Sequence, residues 1–205
     1  GKVVRDETIE HNYPHCWRCR TPLIYRALDA WYLKVEQIRD RLIQTNEEIN
    51  WYPSTVKHGR FGNWLENARD WNLSRNRYWA TPIPVWECGD CGNQKVYGIV
   101  SELEKDASVQ LKDLHKEHLD AVEVPCSCGK KLKRVPEVLD CWFESGSMPY
   151  GQFHYPFENA EYFTSHFPAD FIVEYTGQIR CWFYYLHVLS TAVFDKPAFK
   201  HCMVH

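Results

Sequence analysis

The pattern of apolar and polar positions divides the chain into three stretches of different character. Residues Gly1–His11 are charged and weakly patterned, which predicts an extended lead-in. Leu23–Arg26 and Ala30–Val35 carry alternating apolar residues and aromatics and read as short strands. Val35, Ile38, Leu42 and Ile43 then recur at helical spacing, so Val35–Asn46 is predicted as an amphipathic surface helix. Trp51-Tyr52-Pro53 reads as a turn, and Asn63 as the N-cap of a second helix over Trp64–Trp71. Pro82 and Pro84 forbid a helix and steer the chain extended into the cysteine-bearing stretch that begins at Cys88. From Gly98 to about Asp120 runs a polar, helix-prone insert whose apolar contacts are Leu103, Leu111, Leu114 and Leu119.

After Pro136 the character changes. Val135–Leu139 is strand-like, and Asp140–Tyr150 reads as a loop rich in rings and polar side chains. Ala169–Glu174 is a buried strand by its apolar run, Ile179–Phe194 a helix apolar on nearly every side, and Phe199–Val204 another strand. Strand, loop, helix and strand make a βαβ unit, which implies an α/β fold with a parallel sheet. Ligands in such sheets sit beyond the C-terminal ends of the strands, where Glu174–Gln178 and the Trp142 loop both fall.

The chain has 205 residues, enough for one large domain or one and a half ordinary ones. Its net charge of -3 excludes a global basic field, so any nucleic-acid contact must be local. Aromatics at 15% imply rigid cores or ring-lined pockets. The longest apolar run, Cys181–Phe194, is interrupted by His187, Ser190 and Thr191 and is too short to span a bilayer, so no membrane partner is expected. The nine cysteines are odd in number and no signal peptide is visible at Gly1–Glu10, which favours a reducing, cytoplasmic setting. The closing strand Lys200–Val204 has no following element, and the chain is expected to be a fragment of a longer polypeptide.

Cys88-Gly-Asp-Cys91-Gly, answered by Cys126-Ser-Cys128-Gly, is what a tetrahedral Zn²⁺ site asks of a chain. Glycine after each pair lets the backbone curl so that its N–H groups face the sulfurs. Four thiolates leave no open position, so the role is structural; a disulfide pair is the plainer alternative, disfavoured by the redox argument. Cys16 and Cys19 form another CxxC knuckle with three open readings: half a zinc site completed from outside the chain, a site completed by His11 or His15, or two buried thiols. Lys130, Lys131, Lys133 and Arg134 form a basic knot, either a solvated face or an RNA-backbone contact. Arg75 and Arg77, flanking Asn76, suit a phosphate- or carboxylate-facing loop, though such a triplet is also an ordinary solvated face.

The run Trp71-Asn-Leu-Ser-Arg-Asn-Arg-Tyr-Trp-Ala-Thr-Pro-Ile-Pro-Val-Trp86 resembles the signature of the class I synthetases for isoleucine, valine and leucine. Asp140-Cys-Trp-Phe-Glu-Ser-Gly-Ser-Met-Pro-Tyr150, Glu174-Tyr-Thr-Gly-Gln-Ile-Arg-Cys-Trp-Phe-Tyr184 and His11-Asn-Tyr-Pro-His-Cys-Trp-Arg-Cys19 resemble isoleucyl-tRNA synthetases of the eukaryote-like type also found in bacteria. The resemblance implies three parts: a mixed α+β junction segment over 1–85 after the editing insertion, a zinc-ribbon insertion over 86–135, and the second half of a Rossmann-type catalytic domain over 136–205. It implies a piece of an enzyme that activates isoleucine with ATP and Mg²⁺ and passes the acyl group to tRNA(Ile). The rest of that synthetase chain would then be its partner, and the fragment alone is expected to be inactive.

By the same resemblance Trp142 and Trp182 wall the isoleucine side-chain pocket. Gln178 bonds the amino acid or adenylate, Glu174 holds the ribose hydroxyls, and Gly177 allows close approach. These residue types suit the task, since flat indoles grip a branched chain and a carboxylate accepts two hydroxyls; ordinary core packing is the alternative for the tryptophans. Tyr175 and Gly177 stand where many relatives carry Gly and Asp, while Ala80 and Cys181 replace glycines, so the Cys181 side chain is expected to crowd the wall at Trp182. One methylene in an apolar pocket is worth only about 1–3 kcal/mol, a figure known from isoleucyl-tRNA synthetases themselves, which is why such enzymes need a separate editing site. Readings outside this one are a valine- or leucine-specific synthetase fragment and a free-standing zinc-ribbon RNA-binding module.

Overall fold

The computed structural model describes every residue from Gly1 to His205. Up to Trp31 the chain is irregular and mostly exposed, apart from a bridge between His15 and Pro22. The strand expected over Leu23–Arg26 does not form: no neighbouring strand offers it a hydrogen-bonding edge, and Leu23, Ile24 and Tyr25 lie exposed. The one expected over Ala30–Val35 shrinks to β1 (Tyr32–Leu33). The amphipathic segment is a 3-10 turn, Val35–Ile38, running into α1 (Arg39–Asn46), with Val35 and Leu42 buried.

Trp51-Tyr52 is not a turn but lies in β2 (Asn50–Tyr52). Its cause is tertiary: the Trp51 ring packs on Phe61, Phe183 and Phe199, and its indole donates to Asn46 at 2.9 Å. A wide turn over Lys57–Phe61 precedes α2 (Gly62–Glu66), so Asn63 is inside the helix rather than its cap. Trp71 has left the helix for β3 (Trp71–Asn72), which pairs antiparallel with β1. β4 (Ser74–Arg75) comes next.

The middle stretch is a module with its own core. β5 (Val85–Glu87) and β6 (Gln94–Val96) form one hairpin. α3 (Val100–Ala107) and α4 (Lys116–Leu119) form the helical insert, with Leu103 and Leu119 buried and Leu111 packed on them as expected, whereas Leu114 is 48% exposed. β7 (Glu123–Pro125) and β8 (Lys131–Arg134) make a second hairpin, and the sheet order is β6-β5-β8-β7, all antiparallel. Trp86 anchors the core, with its indole donating to Val122 O at 2.8 Å.

β9 (Val138–Leu139) pairs antiparallel with β4. The loop expected over Asp140–Tyr150 is instead α5 (Cys141–Gly151). Asp140 is its N-cap, accepting from the Trp142 N–H at 3.4 Å, the arrangement that satisfies a free helix-end donor. α6 (Ala160–His166) leads into β10 (Ala169–Glu174). A 3-10 turn over Thr176–Arg180 then takes up the first part of the expected helix, and α7 (Trp182–Phe194) begins only after Cys181, whose backbone is non-helical. β11 (Phe199–Val204) completes the βαβ unit, parallel to β10 as the pattern required.

β2 joins the same sheet, giving the order β10-β11-β2, parallel throughout. Phe183, Leu186, Val188, Phe199 and Cys202 form the main core between this sheet and the helices. β10 is less buried than its apolar run suggests: Ile172 packs on the core, while Phe171 and Val173 on the alternate face are 52% and 45% exposed. α5 and α7 lie backbone to backbone at Gly146, where a Cβ would stand 3.0 Å from Tyr185 O and 2.9 Å from Leu189 Cδ1.

Candidate functional site

Each cysteine pair is the turn of a hairpin. Cys88 and Cys91 close β5 onto β6, and Cys126 and Cys128 close β7 onto β8. Both turns need a left-handed glycine, Gly92 at φ +71 and Gly129 at φ +82. The β5–β8 pairing then brings the two turns together, and the four Sγ atoms lie within 4.8 Å of one another. Cys88 to Cys128 is 3.7 Å and Cys91 to Cys126 is 3.6 Å, too long for disulfides. A tetrahedron with metal–sulfur bonds of about 2.3 Å has edges of about 3.8 Å. The cluster therefore fits one four-coordinate metal ion and leaves no position for water. The backbone N–H of Cys128 holds the Cys126 thiol down to about 6, while hydrogen bonds to neighbouring sulfurs push Cys91 and Cys128 up, so Cys126 is the first of the cluster to ionise.

The Cys16–Cys19 knuckle is built the same way, with Cys16 N–H donating to Thr21 O at 2.9 Å and Arg20 N–H to Cys16 O at 2.9 Å. Hydrogen bonds from Thr21 hold Cys19 down to about 7. No third ligand joins it: His11 Nδ1 is 3.0 Å from Asn12 O, and His15 Nδ1 is 2.9 Å from Tyr13 O. Each ring keeps its Nε2, and neither is gathered with the two thiols in this structure. The thiols are not both buried, since Cys19 is exposed and Cys16 only half-buried.

The basic knot is split by burial. Arg134 turns inward with its side chain 0% exposed, 2.5 Å from the Asp120 carboxylate, and donates to Glu137 O at 2.8 Å. It ties β8 to α4 and cannot meet an RNA backbone. Lys131 and Lys133 share Glu123 at 2.5 and 3.5 Å and stay exposed, as does Lys130.

At the strand ends, Thr176 N–H donates to His205 O at 2.7 Å, so the turn after β10 is stitched to the end of β11. Arg60, from the segment after β2, donates to the Thr176 hydroxyl at 2.9 Å. The Glu174 carboxylate bends back to accept from Tyr175 N–H at 3.1 Å. Gln178 Oε1 accepts from Trp182 N–H at 3.0 Å and so caps α7. A Cβ on Gly177 would stand 2.3–2.6 Å from the Tyr175 ring, so the neighbour using that gap is this ring rather than free space for a ligand.

Trp142 stacks on Tyr185, with ring centroids 5.4 Å apart at 15°, and Trp182 Nε1 donates to Ser145 O at 3.2 Å. Both indoles therefore sit where α5 meets α7. Trp182 lines an apolar cavity beside α6, while Trp142 is engaged by the Tyr185 stack and Glu174 by its own turn. Arg75 does face a carboxylate, that of Asp140 at 2.8 Å. Asp140 also caps α5, and the signal for that role in the sequence is an Asp directly before a ring-rich run.

The family model for the class I tRNA synthetases (I, L, M and V) matches residues 5–205. The chain belongs to the class I tRNA synthetases. It is 57% identical over its whole length to an isoleucine–tRNA ligase of Corynebacterium diphtheriae. The isoleucine–tRNA ligases of Mycobacterium tuberculosis and Treponema denticola are 54% and 55% identical over 99% and 100% of the chain. This synthetase segment spans about a fifth of the length of those curated relatives, 20% of the first two and 19% of the third. Among solved structures, the ternary complex of Agrobacterium radiobacter K84 agnB2 LeuRS with tRNA and LeuAMS aligns with 71% of the synthetase chain and 22% of its own, at TM-score 0.48 and 18% identity. None of the helices is long and apolar enough to cross a membrane.

Proposed function

We propose that this chain is part of the aminoacylation domain of an isoleucine–tRNA ligase, whose complete form activates isoleucine with ATP and Mg²⁺ and transfers it to tRNA(Ile). The carrying observation is the identity of 54–57% to isoleucine–tRNA ligases over essentially the whole chain. In this reading the turn after β10 and the start of α5 face the substrate. Trp142 and Trp182 grip the branched side chain, Glu174 accepts the ribose hydroxyls, and Gln178 offers its free amide N–H to the amino acid or adenylate. Glu174 must release the Tyr175 N–H, and the Tyr175 ring must leave Gly177, for an adenylate to enter. Attack of a carboxylate on a phosphate needs positioning and charge stabilisation more than an acid–base pair. These residues supply the positioning.

Cys88, Cys91, Cys126 and Cys128 would hold Zn²⁺, which supplies folding free energy to the 86–135 insertion rather than chemistry. Cys16 and Cys19 would be half of a further zinc site completed from the remainder of the synthetase. Lys130, Lys131 and Lys133 are the candidates for tRNA-backbone contact. The setting that suits unpaired thiols is the cytoplasm.

Amino-acid-dependent pyrophosphate exchange by the full-length protein tests the reading. Isoleucine should exceed valine and leucine by at least tenfold, whereas preference for either competitor overturns it in favour of that synthetase. The isolated 205-residue chain should show no exchange. Steeply salt-dependent RNA binding by residues 86–135 alone would instead favour a free-standing RNA-binding module.

A further inference from the structure

The two indoles assigned to the amino acid are each held by the other's helix. Trp142 stands in the first turn of α5, and its ring lies on Tyr185 of α7 with centroids 5.4 Å apart at 15°. Trp182 opens α7, and its Nε1 donates to Ser145 O of α5 at 3.2 Å. Tyr185 follows Trp182 by three residues, and Ser145 follows Trp142 by three. Residues at that spacing share one helix face, so the two contacts cross the α5–α7 seam reciprocally.

Behind Tyr185 stands Trp71, with ring centroids 4.5 Å apart, and the Trp71 indole donates to Asp140 at 3.0 Å. The same carboxylate accepts from the Trp142 N–H at 3.4 Å. Backbone and ring of Trp142 are thus both tied back to Asp140, the ring through Tyr185 and Trp71. Trp142 and Tyr185 are only half-buried, so neither ring is locked by the core alone. A side chain ordered before its ligand arrives costs no ordering on binding. One that can swing loses that advantage and adapts to a shorter ligand.

We propose that Tyr185 is a positioning residue for amino-acid selection. Its ring sets the plane of Trp142 and, with the Trp182–Ser145 bond, fixes the gap between the two indoles. Tyr185 acts through Trp142 rather than on the substrate. The inference rests on the proposed function, in which both indoles grip the branched side chain. The stack is made by ring faces, so phenylalanine can replace Tyr185 and an aliphatic residue cannot.

Pyrophosphate exchange by the full-length protein, run with isoleucine and with valine, tests it. Tyr185→Leu should raise the isoleucine KM about tenfold while kcat stays within about threefold. Preference for isoleucine over valine should fall by at least about threefold, since a loosened wall closes on the shorter chain. Tyr185→Phe should stay near the parent in KM. Leu42→Ala, a buried change on α1, serves as the control for lost stability and should not move KM. Circular dichroism checks that each variant is folded. Tyr185→Met, whose flexible chain fills the space without a ring, decides if Tyr185→Leu does not fold. An unmoved KM in the folded variant, a fall in kcat at constant KM, a Tyr185→Phe that behaves like the leucine variant, or an equal rise in Leu42→Ala overturns the proposal. A parent protein that prefers valine or leucine overturns the proposed function instead, and the KM ratio is then read with the preferred amino acid.

Discussion

The Arg75 guanidinium lies 2.8 Å from an Asp140 carboxylate oxygen that also accepts from the Trp71 indole at 3.0 Å. Three separate segments thus meet on one side chain that is 4% exposed and that caps α5 as well. Asp140→Ala strands the Trp71 donor and the cap together and should cost about 3 kcal/mol. Arg75→Ala should cost only about 1 kcal/mol, since Arg75 is over a third exposed and solvent screens its share. Urea denaturation of the two single variants and the double variant measures this. A coupling near zero between the two positions would mean that the pair is not an energetic unit.

Gly146 sets the distance between α5 and α7. Alanine there gains about 1 kcal/mol of helix propensity but presses on Tyr185 O, a backbone atom that cannot rotate away. The two effects roughly cancel. Gly146→Val adds more bulk with a smaller propensity gain and should destabilise by about 2 kcal/mol. The Trp142–Tyr185 stack should loosen with it, seen as a weaker near-ultraviolet circular dichroism signal and a lower melting temperature.

The parts legible in the sequence were those that local chemistry decides. The β10–α7–β11 unit comes from run lengths and spacing, and the hairpin knuckles from cysteine and glycine positions. What was missed depended on distant partners. Nothing near Trp51 says that Phe61, Phe183 and Phe199 will surround it and draw its segment into the sheet. Arg134 looks like its lysine neighbours until Asp120 and Glu137 claim it. Gly177 leaves a gap, yet the ring filling it belongs to Tyr175, and both stand at positions where the chain departs from the pattern it resembles.

Metal removal should divide the molecule along its cores. The 86–135 module packs around Trp86, Leu103 and Leu132, whereas the parallel sheet packs around Trp51, Phe183 and Phe199 in a separate cluster. Chelation, or Cys88→Ser, should therefore release about one zinc per chain and abolish hydrogen-exchange protection at Trp86 and Leu132. Protection at Phe183 and Phe199 should persist. Two zinc ions per isolated chain would show that Cys16 and Cys19 find ligands among these residues after all.

His187 gives the fold a defined sensitivity to acid. It is fully buried between α7 and α1, with Nε2 2.9 Å from Leu42 O and 3.2 Å from the Thr45 hydroxyl, and burial pushes its pKa down to about 4. No carboxylate lies among these partners; Thr45 also bonds Thr191, so the charged form gains only the carbonyl. Above the unfolded value of about 6.5 the ring is neutral in both states and the shift costs nothing. Between about 6.5 and about 4 the unfolded chain takes up a proton that the folded chain refuses, so stability falls with pH across that window, by about 3 kcal/mol in all. Below about 4 both states are protonated and this contribution levels off. His187→Gln keeps a donor for Leu42 O but cannot titrate. Although less stable at pH 7, it should lose less stability than the parent chain between pH 6.5 and 4.5, as read from urea midpoints at each pH. An equal loss in both would assign the acid sensitivity to other groups.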